Sequence, residues 1–97
     1  MNEKGSYMQT DLNKDYSFLP SPLVAKDLAK RIKVIRKKKF KTQELFAKHI
    51  GLTHAKYARF EKTGNIQLPD FIEVVKGIGR VDELQELFES SAEVIGW

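Results

Sequence analysis

The segment Thr42-Gln43-Glu44-Leu45-Phe46-Ala47-Lys48-His49-Ile50-Gly51-Leu52-Thr53-His54-Ala55-Lys56-Tyr57-Ala58-Arg59-Phe60-Glu61-Lys62-Thr63-Gly64 decides how this chain folds. Thr42 and Thr53 each precede a run with helical spacing, and a threonine hydroxyl there accepts from an N–H that a helix start leaves open. Gly51 lies between them and supplies the positive φ that stops a helix at no steric cost. The pattern predicts one helix from Thr42 to about Ile50 and a second from Thr53 to about Lys62, ended by Thr63-Gly64-Asn65. Phe46, Ile50, Leu52, Tyr57 and Phe60 fall on inward faces, and Ala47 sits where the helices cross and a larger side chain would part them. The second helix then turns His54, Ala55, Lys56, Ala58, Arg59 and Lys62 outward. Short and donor-rich side chains on a projecting helix fit a DNA major groove about 12 Å wide. Two such helices crossed steeply over a tight turn make a helix-turn-helix.

Upstream, Ser21-Pro22 has the form of an N-cap followed by proline at the first helical position. Val24, Leu28, Ile32 and Ile35 then step along one face of a helix to about Lys38, whose last turn is rich in bases that suit the negative end of the dipole. Downstream, a fourth helix is expected near Leu68-Pro69, with Asp70 in its first turn and Phe71, Ile72, Val75 and Ile78 inward. Gly77 and Gly79 weaken its end, and Asp82 is expected to cap a fifth helix carrying Leu84, Leu87 and Phe88. The expected architecture is all-α: a flexible N-terminal arm over 1–20, a compact five-helix domain over 21–89 and a short tail over 90–97 ending in Val94-Ile95-Gly96-Trp97.

Ninety-seven residues suit one domain with a small core. Cysteine is absent, so no disulfide or thiolate chemistry is available. Met1 to Thr10 holds no apolar core of a secretory signal, and no run approaches the roughly 20 apolar residues of a membrane span, so a cytoplasmic protein is expected. His49 and His54 are the only histidines, too few for a structural zinc, and neither metal nor cofactor is expected. Asp82, Glu83, Glu86 and Glu89 are read as helix acids, and no nucleophile stands with a local base, so an enzyme is not expected. Net charge is +4, unevenly spread: Lys26 to Lys41 carries nine bases against Asp27, a net of +8, while Asp82 to Trp97 carries −5. A basic middle is the footprint of a protein that meets a polyanion. For Lys37-Lys38-Lys39 two readings stand, phosphate contact or a solvated helix end; the expected placement of Gln43 on the same side favours the first.

The run from Thr42 to Thr53, followed by Arg59-Phe60-Glu61-Lys62-Thr63-Gly64, resembles the Xre/Cro family of phage-repressor-like helix-turn-helix proteins, over roughly 23–88. The resemblance implies a lambda-repressor-like DNA-binding domain. It implies that Gln43 and Thr53 touch phosphates, that His54 and Ala55 face base edges beside Lys56, and that Arg59 reaches a base or phosphate. Lys62 and Lys38 extend that surface, and Arg36 and Glu61 occupy positions that pair structurally in the family. The chain departs from the family at Phe40-Lys41, where glycine and an apolar residue are usual, and at Leu45, usually polar. Tyr57 replaces a branched aliphatic residue, and its hydroxyl needs a partner. The Phe60-Glu61-Lys62-Thr63-Gly64 turn followed by Gly79-Arg80-Val81-Asp82-Glu83-Leu84 resembles a subgroup often found beside kinase-like Hip toxins, where such a protein is the antitoxin and operon autorepressor; a stand-alone regulator is the other reading.

The expectation is a homodimeric repressor on a double-stranded operator, paired through the fifth helix, with half-sites about 34 Å apart. The alternative is an interaction module that binds and neutralises a partner protein. The flexible first twenty residues, Leu45 and the Trp97 tail, free or inserted into a partner as an aromatic anchor, motivate it.

Overall fold

The computed structural model describes residues 15–89. A 3-10 turn, Tyr16–Phe18, leads into α1 (Ser21–Lys39). It is followed by α2 (Gln43–Ile50), α3 (His54–Thr63), α4 (Leu68–Gly77) and α5 (Val81–Gln85). No strand occurs among the described residues. No helix among them is long and apolar enough to cross a membrane.

The two threonines act as local chemistry dictates. Thr42 Oγ1 accepts from the Leu45 N–H and Thr53 Oγ1 from the Lys56 N–H, each at 3.1 Å. Gly51 ends α2 at φ 79, and Leu52 N–H closes that turn on the Ala47 carbonyl at 2.9 Å. Two expected caps are corrected. Ser21 is the first residue of α1, because the Pro20 carbonyl already accepts from Leu23 and Val24. Asp82 lies inside the first turn of α5, because the chain leaves Gly79 at φ 79 and the Arg80 carbonyl accepts from Glu83. A third correction concerns Leu87 and Phe88. They follow α5 rather than riding on it, since the chain tightens after Gln85 with Leu87 N–H on the Leu84 carbonyl at 3.1 Å.

The core gathers one stripe from each of the first four helices. Phe46, Tyr57, Phe60 and Val74 are its largest fully buried side chains, joined by Ala29, Ile32, Ala47 and Ile78. Each large apolar side chain so buried contributes about 1.5–3 kcal/mol before the entropic cost of ordering is subtracted. The rings of Phe46 and Tyr57 meet edge-on with centroids 5.0 Å apart, an arrangement favoured by the ring quadrupole. The small Ala29 lets α1 lie close across α3. In α4 the buried stripe is Val74, Val75 and Ile78 with Phe71 at its edge; Ile72 is only half-buried, so Val74 takes the inward position expected of it.

The expected arm divides. Residues 15–19 lie against α1, where the Tyr16 hydroxyl donates to Asp27 Oδ2 at 2.5 Å and its ring faces the Arg31 guanidinium. Residues 1–14 of the arm and the tail from Ser90, Trp97 included, lie outside the described residues.

Candidate nucleic-acid interface

Tyr57 and Phe60 bury one side of α3, which forces the opposite side outward by helical period alone. His54, Ala55, Lys56, Arg59 and Lys62 are all exposed there, as is Thr53 at the helix start. The side chains of Arg59 and His54 make no hydrogen bond or ion pair among the described residues.

What orients this helix is a buried polar knot beneath it. Glu61 is held by Arg36 through two parallel bonds, Nε to Oε2 and Nη2 to Oε1, both 3.0 Å. The Tyr57 hydroxyl donates to Oε2 at 2.5 Å and the Gln43 amide to Oε1 at 2.8 Å. Arg36 Nη1 also serves the carbonyls of Phe40 and Lys41, at 3.1 and 3.3 Å, and so satisfies the loop between α1 and α2. Burial pushes the Glu61 pKa up, but the bonds from Arg36, Tyr57 and Gln43 outweigh it, and the net shift is downward. Burial, then the bond to Glu61, pushes the Tyr57 hydroxyl well above its ordinary range. The Glu61 bond likewise raises Arg36 against its own desolvation. The knot ties α1, α2 and α3 into one orientation.

The same contacts place the remaining sequence-predicted residues. Arg36 and Glu61 are brought together. Gln43 is half-buried with its amide nitrogen turned to Glu61, leaving the helix-start N–H and the second amide hydrogen for any outside acceptor. The Thr53 hydroxyl oxygen is engaged as a cap. Lys38 is exposed, whereas Lys39 Nζ donates to the Ile78 carbonyl at 3.2 Å and so ties the end of α1 to the end of α4. Leu45 is 55% exposed.

Beside α3 the structure adds residues that the motif reading missed. A cleft of about 420 Å³ opens between α3 and the start of α4, lined by Lys56, Arg59, Asn65, Ile66, Gln67 and Asp70. Its second wall comes from the segment after Gly64, and the polar residues Asn65 and Gln67 just ahead of Pro69 were the available signal. A separate, more apolar groove of about 440 Å³ runs between α1 and α4–α5, lined by Leu28, Ile35, Phe71, Val75, Leu84 and Leu87 among others. Among the described residues no cluster of three His, Cys, Asp or Glu side chains could hold a metal.

Fold and site together define a small all-helical domain with a cationic helix face braced from below. Compared with family models, curated proteins and solved structures, the chain finds no match.

Proposed function

We propose that this chain is a sequence-specific DNA-binding repressor of the Xre/Cro helix-turn-helix kind, acting as a homodimer in the cytoplasm. The observation that carries the reading is the exposed row His54, Ala55, Lys56, Arg59 and Lys62 on a helix whose other side is locked by Arg36 and Glu61. A preorganised donor-rich helix presents its side chains to base edges without first losing rotamer and orientation freedom. In this reading α2 and α3 are the two motif helices and α3 enters the major groove. Arg59 and His54 meet bases, Ala55 offers a methyl contact, and Lys38, Lys62, Thr53 and the start of α2 at Gln43 meet phosphates. Leu87 and Phe88, more than half exposed after α5, form the pairing surface together with the apolar groove. Occupied promoter DNA is then closed to transcription. The Hip-like stretch from Gly79 to Leu84 extends the proposal to an autorepressing antitoxin with a kinase-like toxin as partner.

The test is enrichment of duplexes from a random pool by the full chain, followed by anisotropy titration. Arg59→Ala should lower the ratio of enriched-duplex to random-duplex affinity, since a bidentate arginine–guanine contact discriminates by about 1–3 kcal/mol. A chain that enriches no sequence sinks the reading. One observation favours a second reading, a module that neutralises a partner protein: Leu45 stands 55% exposed at the start of α2, away from the lining of either cavity. Co-purification of a partner whose retention fails on Leu45→Ser, with no DNA enrichment, would select it.

A further inference from the structure

We propose that Asp70 is a positioning residue that restrains Lys56 and thereby sets how selectively the α3 face discriminates between duplexes. The inference rests on the DNA-binding reading above. Among the described residues Asp70 is the only acid lining the cleft beside α3, with Lys56, Arg59, Asn65 and Gln67 around it. Its Oδ2 stands 3.9 Å from Lys56 Nζ.

The two partners differ in mobility. Asp70 sits in the first turn of α4, where the positive end of the helix favours a carboxylate, and α4 is anchored by the buried Val74 and Val75. Its side chain is 29% exposed, against 65% for Lys56. A short carboxylate on a packed helix therefore acts as the fixed point, and the lysine on its flexible four-carbon stem is the group being held.

That arrangement bears on specificity. Binding to any sequence comes from mobile cations that settle on whichever phosphate lies near. A lysine held by Asp70 must leave its partner before it can do so, and the carboxylate itself repels phosphates entering the cleft. Both effects weaken non-specific association. Where base contacts seat α3 in one register, Lys56 keeps its place beside Asp70 and the loss is smaller. Asp70 thus raises the ratio of specific to random affinity by depressing the random one.

The experiment uses the full chain, a random-sequence duplex and a duplex enriched by the wild-type chain, titrated over a salt series. Asp70→Asn should tighten random-duplex binding by about twofold to fivefold, the range of a surface ion pair, with a smaller change on the enriched duplex. Its log–log salt slope should steepen by about one on the random duplex. In a Lys56→Met background Asp70→Asn should change slope and ratio by much less, because only the direct repulsion of phosphates is left to remove. Glu73→Gln, which removes a like charge one turn along α4 beside Lys76, should leave the ratio unchanged. An equal Asp70→Asn effect with and without Lys56, or an equal effect of Glu73→Gln, would show that only net charge matters and would overturn the proposal. So would an unaltered ratio in a chain that binds duplexes normally, which leaves the DNA reading standing. A wild-type chain that binds no duplex sinks both.

Discussion

Arg36 and Glu61, twenty-five residues apart in the chain, face each other fork to fork with 3% and 2% of their side chains exposed. A planar guanidinium matches a carboxylate through two parallel N–H bonds, which sets direction as well as attraction. Neither charge keeps its water, so each depends on the other. Every acceptor site of Glu61 that faces inward is used, by Arg36, Tyr57 and Gln43. A cluster satisfied in this way specifies one packing of α1 against α3.

Removing one member should cost more than removing both charges. Glu61→Ala leaves Arg36 charged, buried and unpaired, and should destabilise the fold by about 3–5 kcal/mol. Arg36→Met combined with Glu61→Gln should lose less than the two single changes together, with a coupling of about 0.5–3 kcal/mol in a double-mutant cycle. Urea unfolding followed by circular dichroism reads all four proteins. Strict additivity would mean that the two side chains do not meet in solution.

The same knot ties stability to pH at both ends of the scale. Glu61 has a folded pKa below its ordinary 4.5, so its contribution is complete above that value and is lost as pH falls through the folded pKa. Tyr57 has a folded pKa above its ordinary 10.0, so its contribution is complete below that value and fades as pH rises through the folded pKa. Glu61→Gln should flatten the acid limb of a stability–pH curve, and Tyr57→Phe should flatten part of the alkaline limb. Tyr16, raised by burial and by its bond to Asp27, supplies another part of that limb. An acid limb unchanged in Glu61→Gln would place the titrating carboxylate elsewhere.

Two glycines at helix ends separate conformational from packing cost. Gly51 and Gly64 both adopt positive φ, at 79 and 83. A Cβ on Gly51 meets nothing within 4 Å, whereas one on Gly64 would fall 2.7 Å from the Ala25 carbonyl carbon. Gly51→Ala should therefore cost only the left-handed penalty, about 1–2 kcal/mol. Gly64→Ala should cost that and about 1–3 kcal/mol more, because backbone of α1 must move. Equal shifts in thermal midpoint would argue against the tight contact of α3 and α1.

The helices around the polar knot were legible in the chain because their signals are local. Thr42, Thr53, Gly51 and Gly64 mark ends through bonds to residues a few positions away, and no distant partner alters that chemistry. The misses share a different cause. Val74 joins Phe71, Val75 and Ile78 in a stripe whose direction depends on what α4 packs against. Gly77 looked like a weakness in α4, yet a Cβ there would collide with Ile50 Cγ2 and approach the Phe46 ring to 3.0 Å, so the glycine admits α2. The sequence assigns Gln43 to a phosphate and Lys39 to a phosphate contact or a solvated helix end, but their partners within the fold, Glu61 and the Ile78 carbonyl, lie 18 and 39 residues away. The cleft of Asn65, Gln67 and Asp70 follows the same rule: its polar residues stand in the sequence, but their place beside α3 depends on a segment outside the motif.

Lys38 and Lys39, neighbours in one basic run, should part company under substitution. Lys39 Nζ is bonded to the Ile78 carbonyl, which steadies the last turn of α4 on α1. Lys38 is exposed, and its side chain makes no ion pair or hydrogen bond among the described residues. Lys38→Ala should leave the unfolding midpoint unchanged, weaken enriched and random duplexes alike, and reduce the salt slope by about one. Lys39→Met should lower stability by about 1 kcal/mol, the worth of one such bond, while the salt slope changes by less. Melting curves paired with anisotropy at three salt concentrations make the comparison. If the two substitutions trade places, with Lys39→Met flattening the slope and Lys38→Ala lowering the midpoint, then Lys39 meets phosphate and the tie between α1 and α4 has no part in stability.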